Sequence, residues 1–138
     1  MKIINEEISL STEGNCDIID ITGKVNSVLK KSGIKEGLCT LFSSGSTGGI
    51  TTIEYEPGLL NDLPELLNRI IPPGRYHHDD TWGDGNGHSH LRSALLKTSL
   101  TVPVVKGELT LGTWQQIVFL DFDNRKRNRK ITVNIMGE

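Results

Sequence analysis

The C-terminal part of the chain predicts strands and no helix, and this feature constrains the fold most. Strand patterns cover residues 100–105, 108–111, 113–122 and 129–136. Turn-type sequences separate them, Lys106-Gly107 in one place and residues 123–126 in another, and such turns predict hairpins. Consecutive strands joined by short turns pair antiparallel, whereas parallel strands need a long crossover connection.

Helices and further strands precede this region, so the chain is predicted to be α+β rather than an alternating parallel-sheet protein. We expect mostly antiparallel, β-sandwich-like sheets with two or three helices in a single domain. Pro57 suits the first turn of one helix, and Gly33 suits the end of another. The predicted order begins with a strand over 2–10 and a helix that Asp20 or Thr22 caps and that ends at Ser32. Strands over 38–43 and 50–55 and a helix over 57–71 follow. After a loop over 72–86, a last helix begins at Asn86 or Ser89 and carries Leu91, Leu95 and Leu96.

The composition is that of a globular domain spanning residues 1–138. Apolar residues make up 36% and charged residues 23% of the chain, which suits a core that needs no disulfide or structural metal. The net charge of −2 gives no general reason to bind nucleic acid or an anionic membrane. Neither a signal peptide nor a membrane span is recognisable. We therefore expect a cytoplasmic protein, with Cys16 and Cys39 as reduced thiols and a single disulfide between them as the alternative.

All four histidines fall within residues 77–90, and this segment is the first candidate site. Neutral imidazole is the commonest metal ligand and titrates nearest neutral pH. Three of His77, His78, His88 and His90 can bind a catalytic metal if the loop folds back over the following helix. Because residues two apart diverge in a helix, His88 and His90 share a ligand only in extended chain or in a first turn. The alternative is that they are exposed loop residues or helix caps.

The loop Gly45-Ser-Thr-Gly-Gly49 and the residue Glu54 are further candidates. Consecutive backbone N–H groups and small hydroxyls can bind an anion, although no Walker-type lysine follows. A flexible hairpin connection is the alternative for this loop. Glu54 is a candidate acid/base or ligand if its strand end opens on the histidines, and otherwise a solvated carboxylate.

Two more features lie near the C-terminus. Trp114 is expected in the core, and Gln115 is a candidate for holding a ligand, because an inward-facing amide needs a partner. Five cations lie between Arg125 and Lys130. As a hairpin tip this run is expected to be solvated, with nucleic-acid binding as the alternative.

Several segments in a fixed order carry a family resemblance. They are Gly37-Leu-Cys-Thr40 followed by Ser46-Thr-Gly-Gly-Ile-Thr-Thr-Ile-Glu54, then Asp84-Gly-Asn-Gly-His-Ser-His-Leu91, Ser99-Leu-Thr-Val-Pro103, Leu111-Gly-Thr-Trp-Gln115 and the ending from Arg129 to Met136-Gly-Glu138. Together they resemble the YjbQ family, described as secondary thiamine-phosphate synthase-like proteins, from about Glu6 to the last residue.

The resemblance implies a small α+β fold, a homotrimer and a site near the histidines. His78, His88 and His90 match histidine positions of the family, and Glu54 matches its glutamate. Many relatives have His-Thr-Thr where this chain has Gly45-Ser-Thr. The implied reaction joins an aminomethyl-pyrimidine pyrophosphate to a thiazole phosphate and releases pyrophosphate. No acidic pair suited to magnesium pyrophosphate is apparent in the sequence.

The leading prediction is therefore an enzyme that acts on a small phosphate-bearing substrate, with thiamine-phosphate synthase activity. His78, His88 and His90 are predicted to bind a divalent metal, zinc or magnesium, or the anionic leaving group. The predicted catalytic residues are Glu54 and His88, and the predicted substrate-binding residues are Ser46, Thr47, Asn86 and Gln115. The alternatives are a non-catalytic metal- or metabolite-binding module and a metal-dependent hydrolase.

Overall fold

A computed structural model describes residues 1–138 of the protein. It contains eight strands and four helices. The strands are β1 (Lys2–Thr12), β2 (Asp17–Asp20), β3 (Gly37–Ser43), β4 (Gly48–Ile53), β5 (Ser99–Val105), β6 (Glu108–Leu109), β7 (Gln116–Asp121) and β8 (Arg127–Gly137). The helices are α1 (Thr22–Ser32), α2 (Pro57–Ile70), α3 (His77–Thr81) and α4 (Gly87–Leu96).

The strands form two sheets in which every neighbouring pair is antiparallel. The first, sheet A, has five strands in the order β1-β8-β3-β5-β6, and the second, sheet B, has three in the order β2-β7-β4. Helices are interspersed but no βαβ crossover forms, so the predicted α+β class is confirmed. Lys106-Gly107 makes the predicted hairpin, in which Val105 pairs with Glu108.

The predicted hairpin over residues 123–126 is wrong, because β7 and β8 lie in different sheets. β7 pairs with β2 and β4, whereas β8 pairs with β1 along its whole length and with β3 on its other side. Residues 123–126 therefore carry the chain from one sheet to the other. Both strands pair with partners distant in sequence, and local turn chemistry does not reveal such pairings.

Other local predictions also need correction. Trp114 lies in a turn before β7 and is 71% exposed, so it is not part of the core. The short strand β2 and the one-turn helix α3 were both missed, and α3 lies inside the segment expected to be a loop. The predicted ends of α1 and α2 are close to those observed: Gly33 ends α1, and the side chain of Glu56 caps α2 beside Pro57.

The hydrophobic core has two parts, one on each face of sheet B. The larger cluster lies between the two sheets and α1, and includes Ile117 and Phe119 from β7. The smaller one contains Val118 and Leu120 from the other face of β7 and packs against Leu67 of α2. β7 is thus buried on both faces, which explains its nearly continuous apolar sequence.

Helix α4 packs on sheet B mainly through small polar side chains. Ser93 Oγ donates to the carbonyl oxygen of Gly48 at 2.6 Å, and Ser89 Oγ donates to that of Phe122. Leu91 and Leu95 point away from the sheet and are about half exposed. These bonds fix the rotation of α4 and hence the direction of its first-turn residues. None of the helices combines the length and apolarity needed to cross a bilayer.

Candidate functional site

A cleft of about 390 Å³ lies where α3, the start of α4, the loop before β4 and the start of β8 meet. Both of its walls are polar. It is lined by Gly45, Ser46, Thr47, His78, Trp82, Asp84, Asn86, His90, Arg127 and Arg129. Five of the eight residues predicted for the site are in this group, namely Ser46, Thr47, His78, Asn86 and His90.

A histidine pair forms one wall of the cleft. The ring centroids of His78 and His90 are 4.5 Å apart, and the ring planes are tilted by 39°. His78 comes from α3 and His90 from the first turn of α4, where the chain direction is set by the serine contacts with sheet B. The Nδ1 atom of His78 is buried without a hydrogen-bond partner and lies 3.5 Å from Asp84 Oδ1. A proton donor or acceptor in the cleft could therefore face two adjacent imidazoles.

Two arginines, each paired with a buried aspartate behind it, form the floor of the cleft. Arg129 Nε and Nη2 each donate to the Asp121 carboxylate at 2.8 Å, a bidentate pair. Arg127 Nε and Nη2 both donate to Asp123 Oδ2, at 2.9 and 2.6 Å. Thr47 Oγ1 joins the pairs, because it accepts from Arg129 at 2.7 Å and donates to Asp123 at 3.2 Å.

The aspartates are ionised although they are fully buried. Burial opposes ionisation of Asp121, but hydrogen bonds from Arg129 and Thr12 outweigh it and hold the pKa of Asp121 below its ordinary value. Burial likewise opposes ionisation of Asp123, and hydrogen bonds from Arg127 and the Asn124 backbone lower its pKa. Charged hydrogen bonds of this kind are the compensation that a buried carboxylate needs.

Strand alternation places this network at the end of the core. Asp121 follows Phe119 on one face of β7, and Arg129 precedes Ile131 on one face of β8. The guanidinium of Arg129 lies over the Phe119 ring, 5.9 Å from its centroid. The apolar layer between the sheets therefore ends in charged groups that form the cleft floor.

Several donors at the cleft remain free of protein partners. The two arginines use Nε and Nη2 for the aspartates, which leaves both Nη1 groups unbonded. Arg129 Nη1 lies close to the loop, because a Cβ atom added to Gly45 would be 3.2 Å from it. The backbone N–H groups of residues 44–47 also have no partner within the chain. This donor set is suited to an anion.

His88 is separate from the cleft although it shares a helical turn with His90. It is 6% exposed and does not line the cleft, and its Nδ1 has no hydrogen-bond partner. Burial and the nearby Arg92 lower its pKa, against the opposing charges of Asp123 and Asp79. His88 is thus a neutral, buried imidazole near neutral pH.

Glu54 and Gln115 lie at the opposite end of sheet B from the histidines. Ser46 and Thr47 precede β4, whereas Glu54 follows it, and a strand of this length spans roughly 20 Å. Gln115 Nε2 contacts Thr52 Oγ1 at 3.5 Å, at the same far end, and both Glu54 and Gln115 are exposed. Within one chain neither residue reaches the cleft, and their functional roles stay predictions.

The cluster of potential metal ligands differs from the three histidines of the sequence prediction. One donor atom from each of His78, Asp79 and Asp84 lies within 4.8 Å of the others. His88 and His90 are not in this group, and His77 is fully exposed. The carboxylate pair that the sequence did not reveal is therefore Asp79 with Asp84, which a turn between them brings together.

Sequence reasoning also missed the residues of the cleft floor. Arg127 and Arg129 were part of a cationic run expected at a solvated tip, but they point inward and pair with Asp123 and Asp121. The sequence did carry a signal. The two aspartates are two residues apart, as are the two arginines, and each set lies at the end of an apolar strand pattern. In a strand that spacing places both charges on the face of the core. Of the remaining cations, Lys126 and Lys130 pair with Glu13 and Glu7.

Comparison with known proteins gives one consistent result. The chain is 41% identical over 139 residues to a UPF0047 protein of Methanothermobacter thermautotrophicus, with 100% of this chain and 95% of that protein covered. The crystal structure of a YbjQ-like protein of unknown function from Sulfolobus solfataricus has a TM-score of 0.93 and 36% identity, with 99% of each chain covered.

A hypothetical protein from Aeropyrum pernix is similar in structure with a TM-score of 0.91 and 32% identity, over 98% of this chain and 99% of that one. The family described as UPF0047 protein YjbQ-like matches residues 6–138. The sequence resemblance, the family match and the shared fold agree over almost the whole length. The chain belongs to the YjbQ family.

Proposed function

We propose that the cleft binds a small phosphate-bearing substrate and that the protein catalyses a transfer of the thiamine-phosphate synthase type. The observation that carries this proposal is the pairing of two chemistries in one cleft. Arg127 and Arg129, whose Nη1 groups are free, and the loop residues 45–47, whose N–H groups are unbonded, line the same cleft as the adjacent rings of His78 and His90. The first set suits phosphate oxygens, and the second supplies imidazole nitrogens that can donate or accept a hydrogen bond.

The ion pairs in the floor hold the arginine donors in fixed positions, so that they orient a bound ligand as well as attract it. Each guanidinium is fixed by a buried aspartate, so its remaining donor is held in place before a ligand arrives. Preorganised donors of this kind stabilise charge that develops during a reaction without needing to reorganise. Asn86 and Thr47 orient the floor through their contacts with Asp123, and the exposed hydroxyl of Ser46 is free to contact the substrate.

The proposed reaction forms one bond and breaks another. The thiazole nitrogen attacks the methylene carbon of the pyrimidine, a C–N bond forms, and the C–O bond to pyrophosphate breaks with its electron pair leaving on oxygen. The arginine Nη1 groups and residues 44–47 would stabilise the departing pyrophosphate. His78 or His90, when protonated, would donate a hydrogen bond to the leaving oxygen.

We also propose that the protein is a homotrimer. On the outer face of sheet A, the exposed apolar side chains Ile3, Met136 and Leu38 lie side by side on β1, β8 and β3, and no other part of the chain covers them. Contiguous exposed apolar surface is typical of a subunit interface. In such an assembly Glu54 and Gln115 could serve a cleft only from a neighbouring subunit. Sedimentation analysis should give three times the chain mass, and a monomer for wild type would contradict this.

The activity proposal is tested by following thiamine phosphate and pyrophosphate formation from the two substrates. His90→Ala should lower turnover at least about 100-fold, as expected for loss of an acid/base group, with little change in melting temperature. His77→Ala is the matched control, because His77 is exposed and outside the cleft. Equal turnover in both variants would overturn the proposed role of the cleft.

Pyrophosphate binding distinguishes an enzyme from a binding module. Inorganic pyrophosphate should bind the wild type, and Ser46→Pro, which removes one loop N–H and restrains the backbone, should weaken it. Binding without turnover on any pyrophosphate ester would favour the non-catalytic metabolite-binding module. Release of phosphate from single substrates without an acceptor would favour the hydrolase.

A further inference from the structure

We infer that His78, Asp79 and Asp84 form a binding site for a divalent cation of the zinc class at the rim of the cleft. One ligand atom from each residue lies within 4.8 Å of the other two. Imidazole nitrogen and carboxylate oxygen are both zinc ligands, and a catalytic zinc site uses three protein ligands and leaves a position open. The inference concerns the metal alone and holds whether or not the proposed transfer reaction does.

The carboxylates lack any other source of positive charge. Neither Asp79 nor Asp84 forms an ion pair with a lysine or arginine; the only ion-pair contact of Asp84 is with His78. A divalent ion would neutralise both.

Two polar atoms without hydrogen-bond partners at the cleft add support. Asn86 is 6% exposed and lines the same cleft, and its side-chain oxygen is buried with no donor. The Nδ1 atom of His78 is likewise buried and unbonded. Buried polar atoms are normally satisfied, so both call for a partner beyond the protein chain. The Asn86 side-chain oxygen is an acceptor, so a cation would be a partner for it and an anion would not.

The backbone holds the ligands without using them up. Asp79 Oδ1 accepts from the N–H of Gly85 at 2.9 Å and Oδ2 from that of Tyr76 at 3.2 Å, so each oxygen keeps a lone pair. Gly83 and Gly85 both have φ near +70°, a conformation that side chains rarely adopt, and they fold Asp84 back towards His78. The backbone conformation of this turn therefore places Asp84 close to His78 and Asp79.

The nitrogen ligand decides the class of metal. Imidazole favours zinc and the neighbouring transition metals, whereas magnesium prefers oxygen ligands and water. We therefore expect Zn²⁺ and Co²⁺ to bind and Mg²⁺ not to displace them at similar concentration. Displacement by equimolar Mg²⁺ would overturn the assignment of His78 as a ligand.

The test is titration of the chelator-treated, full-length protein with Zn²⁺ alone, followed by calorimetry, with no substrate present. One Zn²⁺ per chain should bind. His78→Ala and Asp84→Asn should each weaken binding by at least about 100-fold, since loss of even an outer partner of a metal ligand typically costs roughly 10- to 100-fold. Co²⁺ should give visible absorption in the wild type that His78→Ala abolishes.

The controls distinguish this site from the histidine set of the sequence prediction. His77→Ala, His88→Ala and His90→Ala should keep the wild-type affinity for Zn²⁺. If His88→Ala or His90→Ala lost the metal while Asp84→Asn kept it, the proposed ligand set would be overturned. Melting temperatures of the metal-free variants show whether a loss of binding is merely a loss of folding. Failure of Zn²⁺ to bind the wild type would overturn the site and leave the activity assay unaffected.

Discussion

Arg129 on β8 and Asp121 on β7 join the two sheets through two hydrogen bonds of 2.8 Å, at the point where the apolar core ends. The carboxylate is fully buried, and the arginine side chain is nearly so. Removal of either residue would leave the other as a buried charge without its counter-charge. The pair therefore connects the two sheets and holds the floor of the cleft in place.

The first prediction is that Arg129→Met lowers the free energy of unfolding by about 3–5 kcal/mol, because it leaves Asp121 buried without its counter-charge. Lys130→Met is the matched control, since Lys130 is the next residue and is largely exposed. The control should change stability by less than about 0.5 kcal/mol. Urea unfolding of both variants measures the difference, and a similar small effect in both would show that the pair is not needed.

The second prediction concerns acid. The pKa of Asp123 is depressed in the folded state, so the unfolded state binds protons more readily as the pH falls. The stabilisation is fully present above about pH 4 and is lost as the pH drops through the lower pKa of the folded state. Between about pH 5 and about pH 2.5 the wild type should therefore lose more unfolding free energy than Asp123→Asn. Parallel slopes for the two proteins would contradict this.

The third prediction concerns His88, whose pKa is lowered in the folded state by burial and by Arg92. The unfolded state again binds the proton more tightly, so stability falls as the pH drops below about 6.5, the ordinary histidine value. His88→Gln should reduce the slope of unfolding free energy between about pH 7.5 and about pH 5.5. His77→Gln, at an exposed position, should keep the wild-type slope. If both variants keep it, His88 is not the group responsible.

The fourth prediction concerns Gly37, which pairs with Gly137 across β3 and β8. A Cβ on Gly37 would lie 2.1 Å from the carbonyl oxygen of Met136, so the strands must separate to accept any side chain. Gly37→Ala should cost about 1–3 kcal/mol, as overpacking does. Gly23→Ala, in α1 with nothing within 4 Å, should be neutral or stabilising by up to about 1 kcal/mol. Thermal unfolding compares them, and equal melting temperatures would refute the steric argument.

The local part of the fold was predictable from the sequence. Pro57 and Gly33 mark helix boundaries through their own backbone preferences, and the strand patterns near the C-terminus follow apolar spacing. The exchange of sheets between β7 and β8 was not predictable in this way, because pairing partners are chosen by contacts distant in sequence. The prediction that Trp114 lies in the core was wrong for a related reason. A large apolar side chain does not by itself determine which side of a turn is buried, and Trp114 is exposed.

The candidate site was predictable as a region but not as a set of ligands. The density of histidines and glycines located the cleft, and His78, His90 and Asn86 do line it. Whether His88 faces the cleft depends on the rotation of α4, which is set by hydrogen bonds from serines to sheet B. Asp79 and Asp84 were overlooked because their proximity depends on the backbone of an intervening turn.

The pairing of the first strand with the last has a consequence for synthesis of the protein in the cell. β8 lies between β1 and β3 in sheet A, so the ribosome makes a central strand after all the others. Until then β1 has no partner strand, and Asp121 and Asp123 have no arginine to neutralise them. Contacts of such sequence separation also form slowly. A nascent chain stalled before residue 127 would thus carry every histidine yet have no cleft floor, so it should remain incompletely folded and sensitive to proteases.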